Sequence, residues 1–335
     1  MTDSAPPNGL ALIEAEMARQ HDDALRSLDA QPLAETIAAA ARRTGRLVLL
    51  GMGGSHMTNR AVEGLYRAVG LDATTEPLSE ALSAPLPDRA RVTLIASQSG
   101  DSGEVTQYLR RPAGLEIRFG LTLNPAGGLA QALPSLVGAG GPEAAYAATR
   151  SITVSLALHA TVLAELGVSL APLRAVLASP PDPDVTPALA ALTCVSTVVF
   201  TARGPLVGLA EVAALGGLEL ARMPALGLEG GQFRHGPLEL LSPSVGVIIL
   251  RAAGEPSDDW DGESAPIRAS GAPLVVLDAS GRPPIPGAIT VSLAAHSGLA
   301  ALAACALPLQ RLLVGLAVAR IHGVGEPLRS NKVTR

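Results

Sequence analysis

Short, wholly apolar runs that end in glycine- or serine-rich turns and lead into helically spaced segments recur along this chain. Arg46–Leu50 (RLVLL), bounded by glycine on both sides, opens the series. A run without polar alternation predicts a strand buried on both faces, as in parallel sheets covered by helices. Val92–Ala96, Ile117–Leu123, Val195–Phe200, Val245–Leu250, Leu274–Leu277 and Ile289–Leu293 repeat the pattern. Helical spacing is read over 10–43, 57–69, up to Leu109, over 143–166, 206–220 and 302–321. Strands alternating with helices build right-handed βαβ units, so the fold class is α/β with parallel sheets. The pattern restarts after SPPDPDVTP (Ser179–Pro187), a proline-rich linker. We therefore expect a helical segment over 1–45, one α/β subdomain over 46–178, a second over 188–325 and a polar tail over 326–335.

Aromatic residues make up only 2% of the chain and hydrophobic residues 48%, so Leu, Val, Ile and Ala must build the core. A net charge of −5 disfavours nonspecific nucleic-acid binding. The N-terminal helix, with Glu14, Glu16, Asp22 and Asp23, is a poor DNA-recognition element. The N-terminus lacks a basic segment before an apolar one, and therefore a secretory signal. The most apolar region, Thr290–Ile321, is interrupted by Pro308 and Gln310 and reads as a buried helix rather than a membrane span. A soluble, cytoplasmic protein is expected. Cys194 and Cys305 lie in apolar runs without CxxC spacing and read as small buried hydrophobes. His21, His56, His159, His296 and His322 show no metal-ligand spacing, and no metal or cofactor is expected.

Of 25 basic residues, 24 are arginine; the one lysine is Lys332, close to the C-terminus. Arginine replaces lysine wherever positive charge suffices, but its guanidinium cannot lose a proton and attack a carbonyl. Lys332 is therefore a candidate Schiff-base nucleophile or, equally on composition, the residue of an arginine-rich codon bias.

In an open parallel sheet, ligands bind beyond the C-terminal ends of the strands. GMGGSH follows the first strand, with Gly53 and Gly54 for close backbone approach and Ser55 at a helix N-terminus. SQSGDSGE follows the second and supplies Ser97, Gln98, Ser99 and Ser102, neutral donors suited to a phosphate monoester and sugar hydroxyls. Neither loop is a mononucleotide P-loop, which requires Gly-Lys-Ser/Thr. Further on, Glu211, Leu215 and Glu219 share one helix face. Glu219 sits among apolar residues, and burial would raise its pKa toward that of a general base. His235, before Gly236-Pro237, is held on a turn and is a candidate acid/base group.

GMGGSH, SQSGDSGE, the run from Glu211 through Glu219 to RHGPLEL, and PLRSNKVTR resemble the sugar isomerase (SIS) domains of glucosamine-6-phosphate synthase. AEMARQHDDALRSL and PLQRLLVGLAVARIHG extend that resemblance over almost the whole chain. It implies two SIS subdomains and a homodimer with interfacial sites. By motif position, it implies that Ser55, Ser97, Gln98, Ser99 and Ser102 hold a sugar phosphate. Glu219 would move a proton between C1 and C2, and His235 of a neighbouring subunit would assist ring opening. Lys332 would form the imine with the ketose, and therefore needs to become neutral. Ala148-Thr149-Arg150 stands where the family has Ser-Thr-Lys beside the site. The chain departs from the synthase in two respects. No glutaminase domain is expected in 335 residues that the resemblance already fills, and Gly216 replaces the lysine three residues before the catalytic glutamate. The expected partner is a phosphorylated sugar, and the expected activity is that of a phosphosugar isomerase or aminosugar-phosphate deaminase. Deglycation of fructosamine 6-phosphates and silent sugar-phosphate sensing are the alternatives.

Overall fold

The structure is a computed structural model that describes residues 8–29, 31–255 and 260–334. The predicted helical segment at the N-terminus is two helices, α1 (Gly9–Ser27) and α2 (Pro32–Thr44), because Pro32 opens a new helix rather than continuing the first. The first half then runs through β1 (Arg46–Gly51), α3 (Gly53–Ala68), β2 (Asp72–Pro77) and α4 (Leu78–Ser83). It continues with β3 (Arg91–Ala96), α5 (Gly103–Leu109), β4 (Glu116–Thr122), α6 (Gly128–Ala132) and β5 (Ser135–Val137). Helices α7 (Arg150–Glu165), α8 (Ala171–Ala178) and α9 (Thr186–Leu192) bridge to the second half. There β6 (Thr197–Ala202), α10 (Leu206–Leu220), β7 (Ala225–Glu229), α11 (Gly230–Arg234) and β8 (Val245–Ala252) follow. α12 (Trp260–Ala269), β9 (Leu274–Ala279), β10 (Ile289–Ser292) and α13 (Gly298–Arg320) complete it.

Each half forms a five-stranded parallel sheet, ordered β2-β1-β3-β4-β5 in the first and β7-β6-β8-β9-β10 in the second. The two orders are the same in chain sequence, so the halves repeat one topology. Three strands escaped the sequence pattern: β2, β5 and β7. All three are edge strands, paired on one side only, and none needs the apolar run that double-sided burial demands.

Along β1, Leu47 and Leu49 join the large central core, whereas Val48 and Leu50 face a smaller cluster under α4, α5 and α6. Burying each such aliphatic side chain stabilises by roughly 1.5–3 kcal/mol. The central core is continuous between the sheets, with Phe200, Ile248 and Val275 of the second in the same cluster as Leu47 and Leu94 of the first. Helices α3 and α10, one from each half, cross at Gly208. A Cβ there would lie 2.4 Å from the Ala61 backbone nitrogen and 2.5 Å from the Met57 carbonyl, so only glycine permits this approach. The crossing brings α10 against the loop that opens α3.

α13 runs unbroken through Pro308. It is long and apolar enough to cross a membrane, longer than the sequence pattern suggested, but 67% of its most apolar stretch is buried in the fold. It is a core helix. Cys305 on α13 is buried as expected. Cys194 is exposed, because its apolar run falls on the turn before β6 rather than within the strand.

Candidate active site

β1 and β3 are adjacent and end level, Gly51 opposite Ala96, so the loops that leave them lie side by side. This is the point where strand order reverses, the usual ligand position in open α/β sheets. A cavity of about 400 Å³ opens there.

The first loop is shorter than its sequence suggests. α3 begins at Gly53 rather than near Met57, so Gly53, Gly54 and Ser55 form its first turn at the positive end of the helix dipole. All three line the cavity. Gly53 has φ +49°, a conformation that glycine adopts without steric cost.

The second loop is built by its own hydroxyls. Ser97 Oγ accepts the Gly100 N–H (3.1 Å), Ser99 Oγ the Asp101 N–H (3.3 Å) and Ser102 Oγ the Val105 N–H (3.4 Å). Each serine is an acceptor in these contacts, which leaves its O–H available to donate to an anion. Ser97, Ser99, Ser102 and Gln98 all line the cavity, as does Ala148. Gln98 Nε2 also donates to the Glu143 carbonyl (3.5 Å), tying this loop to the next.

Glu219 enters from α10, half-buried, one helical turn after Leu215 and on the same wall. Burial pushes its carboxyl up to about 7; Lys332 acts in the opposite direction and Glu143 reinforces the rise. Gly216, where the synthase has lysine, is turned toward α13, and a Cβ there would stand 3.0 Å from Leu313 Cδ1.

The C-terminal tail folds back over the cavity. The Gly103 N–H donates to the Thr334 carbonyl (3.0 Å), and the Tyr146 hydroxyl hydrogen-bonds Ser330 Oγ (2.5 Å). Lys332 Nζ donates to Glu143 Oε2 (2.9 Å) and to the Tyr146 carbonyl (3.3 Å).

Glu143 is the residue that the sequence reading missed. The segment read as the start of a helix at 143 is a loop, and α7 begins only at Arg150. The loop delivers the carboxylate into the protein, where Oε1 accepts from Thr149 N, Thr149 Oγ1 and Ser151 N, and Oε2 from Ser151 Oγ and Lys332. Burial drives its pKa up, but Lys332, Ser151 and Thr149 together hold it below the usual carboxylate value. A lone lysine that needs a counterion was the available signal, but nothing in the sequence singled out this carboxylate. Arg150 fixes the loop from behind. Fully buried, it pairs with Glu16 and Asp23 of α1 and donates to the carbonyls of Ala139 (3.2 Å) and Gly141 (2.8 Å), while Glu16 accepts from Ala144 N (2.7 Å).

Of the predicted site residues, His235 alone lies outside the cavity. It is exposed, in a turn whose Gly236 has φ +116°, ahead of the 3₁₀ turn Pro237–Leu240. Among the described residues, no group of three or more His, Cys, Asp or Glu is placed to hold a metal ion.

No protein-family model matches the chain. Glutamine–fructose-6-phosphate aminotransferase (isomerizing) of Zymomonas mobilis is 24% identical over 216 residues, 58% of this chain; the match spans only 35% of that longer protein. Among solved structures, the C-terminal domain of glucosamine-fructose-6-phosphate aminotransferase from Francisella tularensis superimposes with a TM-score of 0.81 at 17% identity, covering 98% of this chain and 100% of that one. Tagatose-6-phosphate ketose/aldose isomerase from Escherichia coli gives 0.77 at 18% identity, over 98% and 100%. Glucosamine-6-phosphate deaminase from Thermotoga maritima gives 0.74 at 17%, over 96% and 99%. At these identities the likeness is one of fold, and it bears out the resemblance that the motifs carry.

Proposed function

We propose that this chain, which has the double sugar isomerase fold of phosphosugar isomerases, isomerises or deaminates a ketose or aminosugar 6-phosphate of the fructose 6-phosphate or glucosamine 6-phosphate type. One observation carries the reading: the single lysine and a carboxyl poised near neutrality line one cavity with the serine-rich loops. The O–H groups of Ser55, Ser97, Ser99 and Ser102 and the head of α3 receive the phosphate. Gln98 serves the sugar hydroxyls.

Lys332 attacks the C2 carbonyl as the neutral amine and, with loss of water, becomes an iminium. The iminium draws electrons from the adjacent C–H bonds. Glu219 takes a C1 proton from the iminium and returns it there, which exchanges that hydrogen with solvent; on the open-chain ketose itself, return of the proton to C2 gives the aldose through the enediol. A carboxyl titrating near 7 both accepts and donates at neutral pH, which is what a proton shuttle needs. Water then hydrolyses the iminium to the ketose and the free lysine amine. On a 2-amino aldose 6-phosphate, Glu219 carries the proton from C2 to C1, so that the C1 aldehyde becomes an alcohol and the C2 amine an imine; Lys332 displaces ammonia from that imine, and hydrolysis again releases the ketose. His235 of a second copy in a homodimer opens the ring, a role that its exposure outside its own chain's cavity allows.

Deuterium exchange from solvent into fructose 6-phosphate and glucosamine 6-phosphate tests the assignment. The wild-type protein exchanges at C1 or C2, and Glu219→Gln slows exchange by about 10²–10⁴-fold while still binding the sugar phosphate. A wild-type protein that binds these sugars without any exchange is a sensor, and the enzymatic reading fails.

A further inference from the structure

Glu143 has no part in the scheme above, yet it touches the nitrogen that would attack the sugar. Its side chain has no exposed surface, whereas that of Lys332 is 25% exposed. A buried carboxylate is expensive unless it is paired and hydrogen-bonded, and Glu143 is both. Five donors converge on its two oxygens, four from Thr149 and Ser151 and the fifth from Lys332. Four of them come from neighbouring residues at the head of α7, and Lys332, reaching in from the tail, is the one that carries charge. The loop that bears Glu143 is locked from outside the cavity by Arg150, Glu16 and Asp23. These buried polar groups hold one carboxylate so that its Oε2 faces one amine.

We propose that Glu143 is a catalytic residue, the proton acceptor and donor for Lys332 during imine formation; the proposal rests on the imine reading of the site. When substrate arrives, the Lys332 ammonium passes one proton to Glu143 Oε2. The freed nitrogen lone pair forms the bond to C2, and the carbonyl π electrons move to oxygen. The new N–H₂⁺ gives a proton to that oxygen, which yields a neutral carbinolamine. Glu143 then returns its proton to the hydroxyl, the C–O bond breaks, water leaves and the nitrogen lone pair forms the iminium. Ammonium plus ketone becomes iminium plus water, and Glu143 ends as it began. Burial, which favours its protonated form, is the largest influence on this carboxyl, and Lys332 is the largest opposing it. Once the amine is neutral that opposition is gone, and the buried carboxyl keeps the proton until the hydroxyl takes it.

Rapid-quench borohydride trapping with fructose 6-phosphate, read by mass analysis of the C-terminal peptide, tests this in the full chain. Glu143→Gln keeps the shape and hydrogen-bonding capacity but cannot take the proton. The trapping rate is expected to fall about 10²–10⁴-fold. Glu143→Asp, which retains a withdrawn carboxylate, should recover part of that loss. Affinity for glucitol 6-phosphate, which has no carbonyl to attack, should stay within about threefold in both variants; a misplaced tail or collapsed site would weaken it, and such weakening overturns the proposal. Trapping in Glu143→Gln at the wild-type rate overturns the role of Glu143 alone. Absence of trapping in the wild-type protein overturns the imine reading, and this proposal with it.

Discussion

Lys332 Nζ lies 2.9 Å from Glu143 Oε2, although 189 residues separate the two in the chain. The pair anchors the tail to the loop before α7, and with the Gly103–Thr334 and Tyr146–Ser330 contacts it closes one side of the cavity. Lys332→Arg preserves the charge opposite Glu143 but removes the nucleophile. We predict that its thermal midpoint stays near the wild-type value while turnover is lost. Lys332→Ala instead leaves a buried carboxylate without its cation. It should lose about 1–3 kcal/mol of stability by urea titration and expose the tail to protease.

Glu219 makes a pH prediction whose sign follows from its displaced titration. Its folded-state value is about 7 against an ordinary 4.5, so between these pH values the folded protein binds more protons than the unfolded chain. Stability from this group is present at low pH, declines as pH rises through that window and levels off above about 7. Glu219→Gln should remove that slope from a pH series of urea titrations. Proton abstraction needs the ionised carboxyl, so wild-type exchange should rise with pH through the same range.

Arg150 acts on the site from behind. Arg150→Ala leaves Glu16 and Asp23 only the more exposed Arg19 and Arg26 as cations and the Ala139 and Gly141 carbonyls without their donor, and should cost about 1–3 kcal/mol in urea unfolding. Arg150→Lys, a single point charge for two carboxylates and two carbonyls, should fall between. Activity of whatever remains folded should drop too, because Ala144 and Glu143 ride on the same loop.

The α3–α10 crossing holds the two halves of the site in register. Gly208→Val must push Ala61 or α10 aside. We predict a loss of at least about 1–3 kcal/mol, with kcat reduced more than KM, since Glu219 moves with α10 while the serine loops stay on the first sheet.

Ser55 tests the phosphate end. Ser55→Ala should raise KM for a phosphorylated ketose about ten- to a hundredfold, the value of a hydrogen bond to a charged group of roughly 1.5–3 kcal/mol. The weak binding of the unphosphorylated sugar should not change.

The central strands were legible because double-sided burial leaves an uninterrupted apolar run, as in RLVLL and VTLIA. Edge strands such as β2 (DATTEP) leave none, and α3 began earlier than expected because Gly53 and Gly54, read as loop, head the helix. Ten residues proposed from motif and resemblance line one cavity: Gly53, Gly54, Ser55, Ser97, Gln98, Ser99, Ser102, Ala148, Glu219 and Lys332. Glu143 was hidden for a physical reason. A carboxylate read at the start of a helical segment shows no sign of burial, and only the three-dimensional path of the tail gives it a cation. The acidic face of α1 was hidden in the same way, for Glu16 and Asp23 turn inward to Arg150 rather than outward to water.

Whether Lys332 forms an imine decides the account most directly. Borohydride added to the wild-type protein with fructose 6-phosphate or glucosamine 6-phosphate should fix one sugar phosphate on the peptide that contains Lys332, and Lys332→Arg should abolish the label. Ammonia released from glucosamine 6-phosphate, or an amine from a fructosamine 6-phosphate, would then name the reaction. A C-terminal peptide that remains unlabelled with every phosphoketose and aminosugar phosphate tried, while the protein binds them, contradicts the account.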